Sequence, residues 1–141
     1  MKKRSEMAQS YDNFAEGLKA FNDLAEKQAT RKLRRYAMKG LQLIVEGTPV
    51  LTGCCRANWI VSNGTLRKEY NPKKTDKSGG STVGAGLARI ESAKLGTDIL
   101  IENSCPYVFR LENGWSRQKP PGSMIRIPLA KLRAAIDAGA K

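Results

Sequence analysis

The sequence predicts an α+β fold with a long N-terminal helix, a small and mostly antiparallel β-sheet, a short middle helix and a C-terminal helix. Apolar residues recur at three- and four-residue steps over roughly the first third of the chain, as in an amphipathic helix. Short β-type runs bounded by turn residues then alternate with helical segments, an order typical of α+β domains. The 141 residues suit one domain, which we place at residues 10–141 after a flexible N-terminus of residues 1–9.

The first predicted element is a helix from Ser10 to Glu46. Ser10 is a suitable N-cap, and Gly47 and Pro49 together form a stop signal. The helix would be longer than most, which allows a bend near residues 28–30. Its recurring apolar residues are predicted to face the core, and they are Phe14, Leu18, Phe21, Ala25, Ala29, Leu33, Tyr36, Ala37, Gly40, Leu41 and Ile44.

Three short runs are predicted to form the sheet. Residues 56–62 are predicted to be a strand, which the turn dipeptide Asn63-Gly64 closes. A second strand is predicted at residues 98–102 and a third at residues 123–127, because both runs are rich in β-type apolar residues. Together these runs would supply the small antiparallel sheet.

Two helices and one loop complete the predicted order. Residues 85–95 are predicted to form a short helix that Gly96 ends, and residues 128–138 a C-terminal helix with Pro128 in its first turn. Residues 66–82 are polar and contain few apolar anchors, so we expect a mobile basic loop there.

The net charge of +12 is distributed unevenly along the chain. Residues 11–26 carry four acidic residues against one lysine, whereas residues 27–39 carry six bases and no acid. Residues 110–141 carry seven bases and two acids. At about 100° per residue, the bases of residues 27–39 fall on one arc of roughly 160°, opposite the apolar stripe of the same part of the helix.

A basic balance of this size favours anionic partners, either nucleic acid or acidic protein surfaces. DNA, bound without sequence preference, is one partner expected at the cationic helix face and the basic loop. An equally weighted interpretation is a solvated face whose charge serves solubility. No recognised DNA-binding motif is present, which lowers the hypothesis of a dedicated nucleic-acid-binding protein. The residues predicted to face DNA or another anionic partner are Lys27, Arg31, Arg34, Arg35, Lys73 and Lys74.

The sequence offers little for catalysis or cofactor binding, so we expect neither an enzyme nor a cofactor. The chain contains no histidine, which removes the usual acid–base group and leaves too few ligands for a zinc site. Gly84-Ala-Gly86 is a weak match to a phosphate loop, because Arg89 occupies the place of the third glycine. No run approaches 18 apolar residues, so no membrane-spanning segment is expected.

The three cysteines do not form a pattern typical of an exported protein. Cys54 and Cys55 are adjacent, and Cys105 stands alone. An odd count without regular spacing predicts free thiols in a reducing compartment. A bridge from Cys105 to one of the other two is the less favoured alternative.

The two tryptophans lie in different sequence contexts. Trp59 lies within a predicted strand, so we expect it to pack in the core. Trp115 follows Asn113-Gly114 in a polar loop, where it would either meet a protein partner or cap the sheet. The sequence leaves these two alternatives for Trp115 open.

Two blocks of sequence resemble a known family. The first block is Thr48-Pro-Val-Leu-Thr-Gly-Cys-Cys-Arg-Ala-Asn-Trp59. The second block comprises Ile101-Glu-Asn-Ser-Cys-Pro-Tyr107, Arg110-Leu-Glu-Asn-Gly-Trp-Ser116 and Gln118-Lys-Pro-Pro-Gly-Ser-Met-Ile-Arg126. They are similar to the signatures TPVDTGRLRASW and NNLPYAQRLEYGWSKQAPAGMVR of the tail-completion and neck proteins of HK97-type tailed phages. Leu51 and Cys54 depart from the Asp and Arg usual in the family, and Asn113 replaces a common Tyr.

The resemblance implies a structural virion protein of the head–tail junction. Such a protein forms a ring around the DNA channel and joins the tail to the head, as a tail-completion or neck component. The implied partners are further copies of the chain, roughly six or twelve in a closed ring, together with neighbouring neck, connector and tail proteins and the genomic DNA. The implied location is the virion, with the host cytoplasm as the place of assembly.

The second block is predicted to contact a neighbouring subunit or neck protein. It combines aromatic and arginine side chains, which dominate interface energetics, with prolines that fix its shape at low entropic cost. The residues predicted for this interface are Tyr107, Arg110, Glu112, Trp115, Arg117, Gln118 and Arg126.

Overall fold

The computed structural model describes residues 2–139, with side chains from residue 5 onward. It is an α+β fold with a long N-terminal helix, an antiparallel sheet, and short middle and C-terminal helices, which confirms the predicted fold class. The elements in chain order are α1 (Lys2–Gly47), α2 (Cys54–Ala57), β1 (Trp59–Asn63), α3 (Gly80–Glu91), β2 (Ile99–Asn103), α4 (Val108–Glu112) and α5 (Arg126–Gly139).

Helix α1 is one continuous helix that starts earlier than predicted. It begins at Lys2 instead of Ser10 and passes through residues 28–30 without an interruption. Residues 2–9, expected to be a flexible segment, therefore belong to the helix. The physical reason is that this run lacks glycine and proline and consists mainly of good helix formers, so nothing in it stops the helix before Lys2.

The two ends of α1 lie in different surroundings. Near its C-terminal end, Leu41, Ile44 and Val45 are buried in the core, and α1 contacts α3 and α5. In contrast, Phe14 and Phe21 are exposed to solvent. The prediction that one stripe faces the core along the whole helix is thus wrong for Phe14, Leu18, Phe21 and Ala25, because the folded body reaches only the second half of the helix.

The described residues contain one sheet of two strands. β1 and β2 are antiparallel, with Trp59 opposite Asn103 and Asn63 opposite Ile99. The predicted third strand at residues 123–127 is wrong, since residues 121–125 form turns that lead directly into α5. The carboxylate of Glu112 accepts the backbone N–H groups of residues 124, 125 and 126, which are therefore unavailable to a β-ladder.

The first strand and the middle helix begin at different places from those predicted. The strand starts at Trp59 because residues 54–57 form the short helix α2, which follows a left-handed Gly53 with φ 86°. Helix α3 starts at Gly80, five residues before the predicted start. The carboxylate of Asp76 explains this early start, since it accepts the N–H groups of Gly79 and Thr82 at 3.0 and 2.8 Å.

The core lies where the second half of α1 meets α3, the sheet and the turn before α5. Trp59 is buried as predicted, and its Nε1–H donates to Oγ1 of Thr48 at 2.8 Å. The hydroxyl of Thr48 in turn donates to the carbonyl of Ile44 at 2.8 Å. The three cysteines are buried and free, as the sequence predicted, and Cys55 and Cys105 belong to the core itself.

Residues 66–79 have no regular structure but are attached to the body at several points. The carboxylate of Glu102 accepts the N–H groups of Arg67 and Lys68 at 2.6 and 3.1 Å. The side-chain amide of Asn58 donates to and accepts from the main chain of Asn71 at 3.0 and 2.9 Å. These contacts oppose the predicted mobility of residues 66–82, which stays a prediction, and residues 80–82 belong to α3 and not to the loop.

Candidate functional site

The two blocks of family-like sequence lie side by side in the fold. The side-chain amide of Gln118 joins them, because its Oε1 accepts the N–H of Val50 at 2.9 Å and its Nε2 donates to the carbonyl of Val50 at 2.6 Å. A cleft of about 520 Å³ lies between residues 49–55 of the first block and residues 107–118 of the second. Sequence segments that are far apart therefore form one surface.

Most polar residues of the first block serve the fold. Arg56 donates to the main-chain carbonyls of Lys77 and Thr48 at 2.7 and 2.9 Å, and so ties α2 to the segment before α3. Asn58 is buried and donates to the carbonyl of Cys54 at 2.8 Å. With the Trp59 bond to Thr48, these contacts hold the chain that crosses from α1 to β1.

Leu51 and Cys54 of the first block lie in different environments. Leu51 is 88% exposed at the rim of the cleft. Cys54 is buried, and its sulfur lies 3.6 Å from the carbonyl oxygen of Pro72. An ion pair between an acid at position 51 and a base at position 54 has no counterpart in this chain, and an exposed apolar side chain takes the place of the acid.

The second block contains a rigid frame built around Glu112. The buried carboxylate of Glu112 accepts three backbone N–H groups, and its carbonyl accepts from the guanidinium of Arg126 at 3.0 Å. Gly114 has φ 95°, and a Cβ there would lie 2.7 Å from Cγ of Pro121. Glycine is therefore required where the chain turns back on itself.

Two of the predicted interface residues, Glu112 and Arg126, belong to this frame. Glu112 is buried and fully engaged with the turn before α5, so it is not available to a partner. Arg126 also uses its guanidinium within the frame, where it reaches Oδ1 of Asn113 at 3.4 Å, but the residue stays exposed and its interface role stays a prediction. The sequence pattern placed both in an interface because a charged residue in a turn-rich segment gives no sign of an internal backbone partner.

The outward side of the second block carries exposed aromatic and basic side chains. Trp115 is 73% exposed, so it does not pack in the core, and the guanidinium of Arg110 lies 5.1 Å from its ring centroid. Trp115 and Arg117 line the cleft together with Leu51. We name Leu51, Arg110, Trp115 and Arg117 the aromatic patch. Whether it meets a partner stays a prediction.

Tyr107 and the cysteines lie at the inner side of the same cleft. Tyr107 is 36% exposed, and burial together with hydrogen bonds to Cys105 and Cys54 raises the pKa of its hydroxyl. Burial, followed by the neighbouring Cys105, raises the pKa of Cys55 to about 12. The Cys55 thiol is therefore protonated at neutral pH, a state that suits packing and not nucleophilic chemistry.

Two exposed apolar residues near the cleft were not predicted from the sequence. Leu51 stands at the cleft rim, and Phe109 on α4 is 76% exposed beside Arg110. Leu51 belongs to the first block, and Phe109 lies between two segments of the second block, where α4 presents its side chain to solvent. An apolar residue directly beside Arg110 was the only signal that could have pointed to Phe109.

The predicted cationic residues are divided between different parts of the surface. Lys27, Arg31 and Arg35 are exposed on α1. Arg34 is partly buried and donates to the carbonyl of Ala93 at 2.9 Å, so the body holds this side chain. The exposed Lys73 and Lys74 lie in the segment before α3, and Lys74 lines a shallow cleft with Arg67 and Arg89.

The remaining features concern metals, membranes and known proteins. Within residues 2–139, three or more His, Cys, Asp or Glu side chains nowhere come together in a way that could hold a metal ion. None of the described helices has the length and hydropathy needed to cross a bilayer. Comparisons with protein-family models, with curated proteins and with solved structures give no match to this chain.

Proposed function

We propose that this chain is a structural virion protein of the head–tail junction of a tailed phage, without enzymatic activity. In this role it forms a ring around the DNA channel as a tail-completion or neck component and joins the tail to the head. Its partners would be further copies of itself, the neighbouring neck, connector and tail proteins, and the genomic DNA that passes through the channel.

The observation that supports this proposal most is the construction of the second block. Its frame residues fix the loop, and its aromatic and arginine side chains stand exposed on that frame. Interfaces favour this composition, and a loop held in shape before binding loses little entropy on association. The sequence resemblance of both blocks to phage neck proteins gives the surface its proposed setting.

A closed ring needs a contact between two different surfaces of neighbouring subunits. The aromatic patch would supply one of them, with Trp115 as the central side chain. Stability gained from neighbours would add to that of a small body whose sheet has only two strands.

Negative-stain electron microscopy of the purified full chain tests this proposal. Rings with a central hole are expected for the wild-type protein, and Trp115→Ala should reduce their number. Lys119→Ala is a matched control in the same loop, outside the aromatic patch. Wild-type particles without rings at any concentration, and in the presence of DNA, would speak against the proposal.

The alternative is a sequence-independent nucleic-acid-binding protein. Exposed bases on α1, namely Lys27, Arg31 and Arg35, favour it, as does the net charge of +12. Fluorescence anisotropy with unrelated duplexes tests it. The alternative predicts equal affinity for all sequences and a steep loss with salt, because such binding releases counterions. Replacing the three bases with alanine should then abolish binding while leaving any rings intact.

A further inference from the structure

The first half of α1 carries an apolar stripe that nothing in the folded body covers. We name it the arm stripe, and its members are Met7, Tyr11, Phe14, Leu18, Phe21 and Ala25. Each of the five large side chains is at least half exposed. Isolated apolar residues on a surface are ordinary, whereas a continuous stripe of this kind marks an interaction surface.

The spacing of the arm stripe indicates what covers it. Successive members are separated by four, three, four, three and four residues. This is the 3.5-residue repeat with which one helix packs along another in a left-handed coiled coil. Tyr11, Leu18 and Ala25 take position a of the heptad, and Met7, Phe14 and Phe21 take position d. The partner is therefore a helix.

The charged residues near the arm stripe lie on the side of the helix that faces away from the partner helix. Every charged residue of 11–26 falls on heptad positions b or f, on the outer side of a coiled coil, and these are Asp12, Glu16, Lys19, Asp23 and Glu26. The e and g positions beside the stripe hold Ala8, Ser10, Ala15, Gly17, Asn22 and Leu24. Two copies of this helix can thus approach closely without like charges facing each other across the seam.

The heptad ends where the body begins. Continued past Ala25, positions a and d would fall on Gln28, Lys32, Arg35 and Lys39, and the three bases among them would repel a second copy. The segment able to pair with itself is therefore the segment that the body leaves exposed. This coincidence favours a second copy of the chain over an intramolecular partner.

We propose that the arm stripe is an interface with a second copy of this chain, in which the two arms pair antiparallel. A parallel pair would place the six bases of residues 27–39 in one copy beside the same six in the other. An antiparallel pair separates these segments and brings only Lys2, Lys3 and Arg4 of one copy beside residues 28–30 of the other. With Glu16 at the centre, Met7 lies opposite Ala25, Tyr11 opposite Phe21, and Phe14 opposite Leu18. Each layer then joins a position a to a position d.

The area of the arm stripe is sufficient for such a pair. Three aromatic side chains and three aliphatic ones would bury on the order of 600 Å² per copy, or about 1,200 Å² in total, which is the lower end of specific interfaces. The pair has a two-fold axis and uses neither the aromatic patch nor the cleft. The proposal is independent of the proposed ring.

Opposite charges introduced at positions 14 and 18, which face each other in the two central layers, test both the identity of the partner and the antiparallel orientation. Phe14→Glu and Leu18→Lys each bury an unpaired charge in a pair of identical copies, and each should weaken self-association on the order of 30-fold or more. Mixing the two variants should restore it, because Glu at 14 then faces Lys at 18 in one layer while the other layer keeps Phe14 and Leu18. A parallel pair would gain no such contact.

Sedimentation equilibrium of the full chain over roughly 1–100 μM measures these constants. Ala20→Glu and Ala20→Lys are matched controls, since position 20 lies on the outer side of the helix and the charge changes are the same. A Trp115→Ala background separates arm pairing from assembly through the aromatic patch. The proposal would be overturned if the Trp115→Ala chain with an unchanged arm stripe stayed monomeric. Equal losses of self-association in the Ala20 controls, or no recovery of self-association on mixing the two variants, would also overturn it.

Discussion

The first block (residues 48–59) and the second block (residues 101–126) differ in where their side chains lie. In the first block, Asn58 and Trp59 are buried, and Arg56 is bonded to main-chain carbonyls. In the second block, Arg110 and Trp115 project into solvent from a frame that Glu112 holds. A sequence signature thus combines residues that build the fold with residues that are free to meet a partner, and only the latter bear directly on function.

The comparison makes a clear claim about mutations. Changes to the buried or internally bonded residues of the first block, such as Arg56, Asn58 and Trp59, should lower the free energy of unfolding of the monomer. Changes to the exposed residues of the second block should leave that free energy unchanged and weaken assembly. Glu112 should behave as a first-block residue in spite of its place in the second block, because it is buried.

The largest effect is expected for Trp59→Ala. Loss of a buried indole and of its bond to Thr48 should lower the free energy of unfolding by about 3–5 kcal/mol. Chemical denaturation followed by circular dichroism measures it. Trp59→Phe is the matched control and should cost less, since most of the ring volume remains. A Trp59→Ala chain as stable as wild type would contradict the internal role of the first block.

Glu112→Ala should have the next largest effect. Three backbone N–H groups before α5 would lose their acceptor, which should cost about 2–3 kcal/mol of folding stability. Glu112→Gln keeps one accepting oxygen and should cost less. Should Glu112→Ala instead fold normally and fail only in assembly, the predicted interface role of Glu112 would be restored and the frame interpretation would be wrong.

Trp115→Ala tests the claim that the exposed residues of the second block act in assembly and not in folding. The ring is exposed, so the free energy of unfolding of the monomer should stay within about 0.5 kcal/mol of wild type. Assembly should weaken by about 2 kcal/mol if Trp115 is an interface anchor. Thermal melting followed by circular dichroism, together with sizing chromatography, measures both quantities. A large drop in melting temperature with assembly unchanged would reverse the assignment.

The fold class could be predicted from the sequence because periodicity and turn residues are local signals. The C-terminal end of α1 follows from Gly47 and Pro49, and the strand at 98–102 is displaced by only one residue in β2. The third strand was wrong because the acceptor of its N–H groups is Glu112, more than ten residues away in the chain. A contact of that kind leaves no mark on the local pattern.

The candidate site could be predicted less completely. Its residues were found because aromatic and arginine side chains cluster in the second block, but burial decides which of them can meet a partner. Likewise, the apolar spacing of α1 predicted a packed face correctly for Leu41 and Ile44 and wrongly for Phe14 and Phe21. Periodicity shows that a helix has an apolar face, but not whether the same chain or another covers it.

The smallest effect concerns the pH dependence of the cleft's inner side. Burial raises the pKa of Cys55 from 9.0 to about 12, whereas in the unfolded chain the thiol ionises near its ordinary value. Below pH 9.0 the thiol is protonated in both states and does not change the free energy of unfolding. Between pH 9.0 and about 12 the unfolded chain releases a proton that the folded chain keeps, so the free energy of unfolding falls as the pH rises. The loss should reach about 1 kcal/mol one pH unit above the ordinary pKa. Denaturation at neutral and alkaline pH, compared between wild type and Cys55→Ser, isolates this contribution, since Tyr107 shifts in the same direction in both chains. An equal alkaline loss in Cys55→Ser would show that Cys55 is not its source.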